Sequence, residues 1–239
     1  MFFTFIFSHT IAQSLDSTAK YIWTNEETKI SASVEIFGLQ LASKQYCVFY
    51  LTNVDTVYNN ISDSLFKEFV NRSTLKCPII KISFYNLLDS TPPQKIRLYE
   101  NALTKFIVAD VQKRFPKINT QNLVITGIDF FAVVALAVAI KKPTQINKAA
   151  LFFNEEENVR LLNSVLSSAK RLKGKVYLFV NHKLSKDFIE SPIEDLANNS
   201  SIDLYKFDYF GDLLPSSIFE EAYHWLLAEG NNYIIRNND

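Results

Sequence analysis

Six short apolar runs separated by stretches of helical periodicity constrain this chain more than any other feature. They are Tyr46-Cys-Val-Phe-Tyr-Leu51, Ile79-Ile-Lys-Ile-Ser83, Leu123-Val-Ile-Thr126, Ala149-Ala-Leu-Phe-Phe153, Val176-Tyr-Leu-Phe-Val180 and Ile202-Asp-Leu-Tyr-Lys-Phe207. A strand that is apolar at successive positions is buried on both faces, and strands alternating with helices are joined by crossovers, so the pattern predicts βαβ units around a mostly parallel sheet. Helices are expected at Ser62 to Val70, Arg97 to Arg114, Phe130 to Ile140, Glu155 to Lys170, Lys186 to Ala197 and Ser216 to Ala228. Several have acidic starts or basic ends that suit the helix dipole. Right-handed crossovers are expected to place them alternately on the two faces. Leu87 to Gln94, with Pro92-Pro93, reads as a surface loop. Ahead of the first apolar run, Lys20-Tyr-Ile-Trp-Thr24 and Lys29-Ile-Ser-Ala-Ser-Val-Glu-Ile-Phe37 flank Asn25-Glu26-Glu27 and read as an antiparallel hairpin.

The chain has 239 residues, 48% of them hydrophobic, enough for one α/β core without requiring a second. Twenty-five basic residues balance 25 acidic ones with no run of like charge, which argues against nucleic acid and anionic membranes as partners. No apolar run after the N-terminus reaches the roughly 18 residues needed to span a bilayer; Phe130 to Ile140 is the longest. Residues 1 to 13 begin apolar and close on Ile11-Ala12 before Gln13-Ser14, similar to the core and cleavage site of a signal peptide but without a basic start. Either this is the remnant of an export signal or it is a plain terminal strand. The expectation is export to a periplasmic or extracellular space, with 14–239 as a single domain.

Cys47 and Cys77 stand apart from His or Cys at ligand spacing, so they form no metal site. Buried free thiols are the plain reading; a disulfide between neighbouring strands would need an oxidising compartment. Asn154-Glu155-Glu156-Glu157 reads as a solvated first helical turn rather than a cation site. Gly127 stands alone, so no glycine-rich phosphate loop occurs, and neither cofactor nor metal is expected.

The segment Leu123-Val-Ile-Thr-Gly-Ile-Asp-Phe-Phe-Ala-Val-Val-Ala-Leu-Ala-Val-Ala-Ile-Lys-Lys-Pro143, followed by Ala149-Ala-Leu-Phe-Phe153, is a strand, a tight turn, a helix ending before proline, and another strand. It resembles the nucleophile elbow, G-x-S-x-G, of the esterase family of α/β-hydrolases that contains esterase D and enterochelin esterase. Ser43-Lys-Gln-Tyr-Cys-Val-Phe-Tyr-Leu51 is similar to the strand leading to that family's oxyanion loop, and Ile218-Phe-Glu-Glu-Ala-Tyr-His-Trp-Leu-Leu227 to its closing helix. The resemblance spans about residues 20 to 228. It implies an α/β-hydrolase-like three-layer sandwich, mostly parallel, opened by the antiparallel hairpin.

On that motif Gly127 takes the first glycine, Asp129 the nucleophile position and Phe131 the second glycine. Asp tolerates the positive φ of such a turn, but a phenyl group at 131 is expected to push the turn open or rotate it. An aspartate nucleophile would still need a histidine to activate the water that resolves its ester. Of the three histidines, His9 lies in the terminal segment and His224 inside the last helix. His182 follows the strand at Val176 to Val180, where the family supplies its acid, and is a displaced base only by rearrangement. Asp187 has no imidazole to orient, and the loop Asp208 to Asp212 contains no histidine. After Leu51 the expected oxyanion loop reads Thr52-Asn53-Val54-Asp55, where Asp55 would oppose a developing negative charge.

The leading expectation is a catalytically inactive binding or interaction module for a small molecule or protein. Its pocket would gather Asn53, Asp55, Ile128, Phe130 and Asp212 around Asp129 and His182 at the strand ends. The alternatives are an active hydrolase with Asp129 as nucleophile and His182 as base, or another parallel α/β fold in which Asp129 has no special role.

Overall fold

A computed structural model of the protein describes residues 18–41, 46–54, 77–85, 87, 90–166, 173–181, 183–184, 201–209 and 222. The opening hairpin is present as β1 (Ala19–Asn25) and β2 (Ile30–Phe37), and β2 continues antiparallel to β4 (Ile79–Phe84). From there β3 (Cys47–Asn53), β5 (Leu123–Ile128), β6 (Ile146–Phe153), β7 (Lys173–Asn181) and β8 (Ser201–Tyr209) all run parallel to β4. The result is one eight-stranded sheet in the order β1-β2-β4-β3-β5-β6-β7-β8. Each of the six apolar runs became a parallel strand. The last extends to Tyr209, so the segment read as a loop from Asp208 begins inside β8.

Strand patterning explains this arrangement. In β2, Ala32, Val34 and Ile36 face the core beside Ile80, Ile82 and Phe84 of β4, while Ser33 and Glu35 turn to the other face with Lys81 and Ser83. On that second face the Lys20 ammonium lies 2.6 Å from Glu35 Oε1. Farther along, both faces are closed off from water. Cys47, Phe49 and Leu51 of β3 belong to the core cluster, and Val48 and Tyr50 on the opposite side are equally buried. Phe152 and Phe179 stack there at 4.5 Å.

The first described α-helix corrects the reading of Leu87 to Gln94 as a loop. Helix α1 (Pro92–Asn101) starts at the proline pair and continues through a π-helical stretch, Ala102–Ile107, into α2 (Val108–Arg114). Proline at the first helical positions lacks only N–H groups that have no intrahelical partner there. Gln94 Oε1 completes the start by accepting from both the N–H and the hydroxyl of Thr91, each at 3.0 Å. Helix α3 (Phe130–Lys141) follows β5, and α4 (Glu156–Leu161) and α5 (Asn163–Leu166) replace the single helix expected from Glu155, with a break at Leu162.

These helices do not alternate between faces. Side chains of α1, the π-helical stretch, α3 and α4 share one core cluster, and α3 packs against both α1 and α4. The reason is handedness. Connections β4 to β5, β5 to β6 and β6 to β7 all step the same way along the sheet, and right-handed crossovers stepping one way lie on one face. The helices expected at 62–70, 186–197 and 216–228 fall outside the described residues, apart from buried Ala222, as does the 1–13 segment.

Helix α3 is apolar around nearly its whole circumference, with Phe131 through Leu136 and Val138 through Ile140 buried, as befits a helix enclosed on every side. Cys47 and Cys77 are buried and not joined in a disulfide, and burial holds the Cys47 thiol well above its ordinary pKa. Among the described residues, no helix is long and apolar enough to cross a membrane. Because Ala135 is fully enclosed and Ala137 only partly so, Ala135→Leu should lower stability by about 1–3 kcal/mol through overpacking. Ala137→Leu should cost clearly less, both read by urea denaturation.

Candidate functional site

The site is built where β5 reverses into α3. Gly127 lies directly beneath the first turn of α3, and a Cβ there would come within 2.3 Å of the Phe131 carbonyl oxygen. Only a residue without a side chain allows the helix to cross so close. Two residues on, Asp129 takes φ 51° and ψ −117°, outside the regions comfortable for L-residues. Its backbone is secured on both sides. The N–H donates to the Phe152 carbonyl of β6 at 2.7 Å, and the carbonyl accepts from Ala132 at 2.9 Å and Val133 at 3.4 Å. The chain therefore makes the sharp strand-to-helix turn that the sequence suggested.

Phe131 does not open that turn, contrary to expectation. Its ring joins an aromatic cluster, parallel to Phe84 at 5.7 Å and tilted against Tyr99 at 5.5 Å. The close approach involves the backbone of residue 131, which Gly127 accommodates, so the side chain at 131 is free to serve the core.

The Asp129 carboxylate is the polar centre of the site. Although 94% of the residue is removed from solvent, it is well supplied with donors: Oδ1 accepts from the Asn154 N–H at 2.7 Å and the Glu155 N–H at 3.3 Å, and Oδ2 accepts from Asn154 Nδ2 at 3.1 Å. It thus ties the β5–α3 turn to the start of α4, where Glu155 is the N-cap residue and Glu155 Oε2 accepts from Asn158 Nδ2 at 2.9 Å. Burial pushes the Asp129 carboxyl up to about 6, opposed by the Asn154 donors and the Glu155 N–H and reinforced by the Glu155 charge.

Asp129 lines a cleft of ≈ 280 Å³ at the strand ends. Of the residues expected there, Asn53, Ile128 and Phe130 meet Asp129 in the cleft wall, whereas Asp55, His182 and Asp212 lie outside the described residues. Lys95, Tyr99, Glu155 and Asn158 also line it and were missed. Lys95 and Tyr99 reach the cleft because α1 begins at Pro92 rather than later. Glu155 and Asn158 could have been found from the turn that must follow β6, since residues at the C-terminal ends of adjacent parallel strands share one rim. Among the described residues no group of His, Cys, Asp or Glu is arranged to hold a metal.

Sheet order, sharp turn and rim cleft together define an α/β-hydrolase fold. No family model matches the chain, and no curated protein sequence does either. Solved structures do match. An S-formylglutathione hydrolase from Agrobacterium tumefaciens superposes with a TM-score of 0.63 over 89% of this chain and 95% of its own, at 11% identity. A siderophore hydrolase from Aspergillus nidulans gives 0.63 over 91% and 97% at 9% identity, and an acetyl xylan esterase from a Thermoanaerobacterium species 0.61 over 92% and 85% at 13%. At identities this low, the superpositions establish the shared fold alone.

Two outcomes follow from the geometry. Gly127→Ala should destabilise the protein by about 3 kcal/mol or more, the upper range for overpacking, because the obstructing atoms are backbone and cannot swing aside. The second concerns pH. A carboxyl whose folded pKa is raised from 3.8 to about 6 stabilises the fold in its neutral form, an increment whole below about pH 4 and lost as pH rises through 6. Stability of Asp129→Asn relative to wild type should therefore rise between pH 4 and pH 7, measured by urea titrations of both proteins at each pH.

Proposed function

We propose that this protein is a catalytically inactive member of the hydrolase fold that binds a small molecule or a partner segment in the cleft at the β5–α3 turn. The observation that carries the reading is the commitment of Asp129, whose two oxygens already accept three N–H donors from the start of α4. A nucleophile must move toward its substrate as the new bond forms. A carboxylate that staples two loops together is poorly placed to do so, and esterification would break the staple. Asp129 then does structural work at the position where esterases of this fold carry the attacking group.

The cleft itself supports a binding role. It is mostly apolar, with Tyr99 and Phe130 edge to face at 6.2 Å and the Asn53, Asn158 and Thr52 side chains among its polar groups. A predominantly apolar concavity with a few polar groups is the usual form of a small-ligand site. The apolar N-terminal segment makes an exported protein our preferred reading of its location.

A second reading draws on the strained conformation of Asp129 at the cleft floor, because strain of this kind gathers at active sites. In it, Asp129 attacks an ester carbonyl carbon and expels the alcohol, leaving an anhydride, or attacks an epoxide carbon and breaks its ring C–O bond, leaving an ester; a histidine such as His182 then activates the water that hydrolyses either one and frees Asp129. Turnover of short-chain nitrophenyl esters and an epoxide panel separates the two. The binding reading expects rates equal to the buffer background and unchanged in Asp129→Ala. Turnover that disappears with that substitution would establish the enzyme instead.

A further inference from the structure

The binding reading leaves open what the cleft selects, and the charges at its floor and mouth bear on that. Resting on that reading, we propose that the cleft takes a small primary amine with an aromatic or apolar body, its ammonium held by the Asp129 and Glu155 carboxylates. Two carboxylates and one ammonium, that of Lys95, line the cleft among the described residues, so an anionic ligand meets a net charge of its own sign. A carboxylate offers about four acceptor sites. Three at Asp129 are filled by Asn154 and Glu155, two on Oδ1 and one on Oδ2, which leaves Oδ2 able to accept one more donor. Glu155 is exposed, and its Oε2 already receives Asn158. Each acid can thus accept a further donor from a ligand, and an ammonium group has three donors and no acceptor.

The walls set the rest of the ligand. Ile128, Pro92 and Phe130 present apolar surface, and Tyr99 is oriented by its own hydroxyl, which donates to the Tyr85 carbonyl at 3.1 Å. A volume of ≈ 280 Å³ at the small end of ligand pockets suits a single ring with a short chain. The charged groups that line the cleft with Asp129 among the described residues are Glu155 at the start of α4 and Lys95 on α1; the first turn of α3 brings only Phe130 and Phe131. Since the Asp129 carboxyl takes up a proton near pH 6, amine affinity should weaken as pH falls through that value while an alkylamine stays charged.

The probes are 2-phenylethylamine and phenylacetate, alike in ring and chain but opposite in charge, titrated into the full chain by ligand-observed NMR at pH 7.5 and low salt. The amine should bind at least ten-fold more tightly, lose several-fold in Glu155→Gln and in Asp129→Asn, and weaken below pH 6. Phe130→Ala should weaken both probes. Equal or tighter binding of the acid, amine binding indifferent to Glu155→Gln, or no binding of either probe overturns the inference. Glu155 is exposed, so its variant remains informative even if the Asp129 variant fails to fold. Binding of the acid in a manner lost with Phe130→Ala would leave the binding-module reading standing and remove only the amine preference. Asp129-dependent ester turnover would instead remove that reading.

Discussion

The first turn of α3 crosses β5 at a separation that only the hydrogen of Gly127 permits, and the site depends on that crossing. It forces the chain to reverse within one residue, which puts Asp129 at φ 51° and aims its carboxylate at the β6–α4 loop. Strain of this kind costs on the order of 1–3 kcal/mol and persists only where surrounding contacts determine it. Here those contacts are the Asp129 N–H to Phe152, the helix-opening bonds to its carbonyl, and the Asn154 and Glu155 donors to its side chain. The reversal and the strap are one structure.

Seen this way, the residues that depart from an esterase motif are mutually consistent. With aspartate at the apex, the turn gains a buried acceptor that binds the next loop. With phenylalanine two residues later, the helix gains a ring stacked on Phe84. Each contributes to stability through a contact that serine or glycine would lack, and each alters the space in which chemistry would occur. The polar demand of the buried carboxylate is met by three donors, the condition under which a buried charge is tolerated.

Most of the sheet could be read from the sequence because buried parallel strands leave continuous apolar runs, and all six such runs became parallel strands. The hairpin was equally legible from its alternation. The start of α1 was not, since a proline pair after Leu87 has the same local signature whether it ends a loop or opens a helix. Which face each helix takes depends on strand order, a property of long-range pairing that periodicity does not encode. At the site, Asp129, Ile128 and Phe130 belong to the elbow pattern and Asn53 to the loop expected after Leu51, and the cleft gathers all four. The strap from Asn154 did not, because residues 129 and 154 meet only through the parallel pairing of β5 with β6.

The polar strip on the second face of β2 and β4 bears on how reliably the chain finds its pairing. Sliding β2 by one residue would carry Ser33 and Glu35 into the place of Val34 and Ile36, pressing a carboxylate against Ile80 and stripping Lys20 of its counterion. The neighbouring apolar positions would move to the polar side in the same step. Mispaired hairpins are therefore penalised twice over, and the antiparallel edge beside β4 has a built-in check on its own alignment.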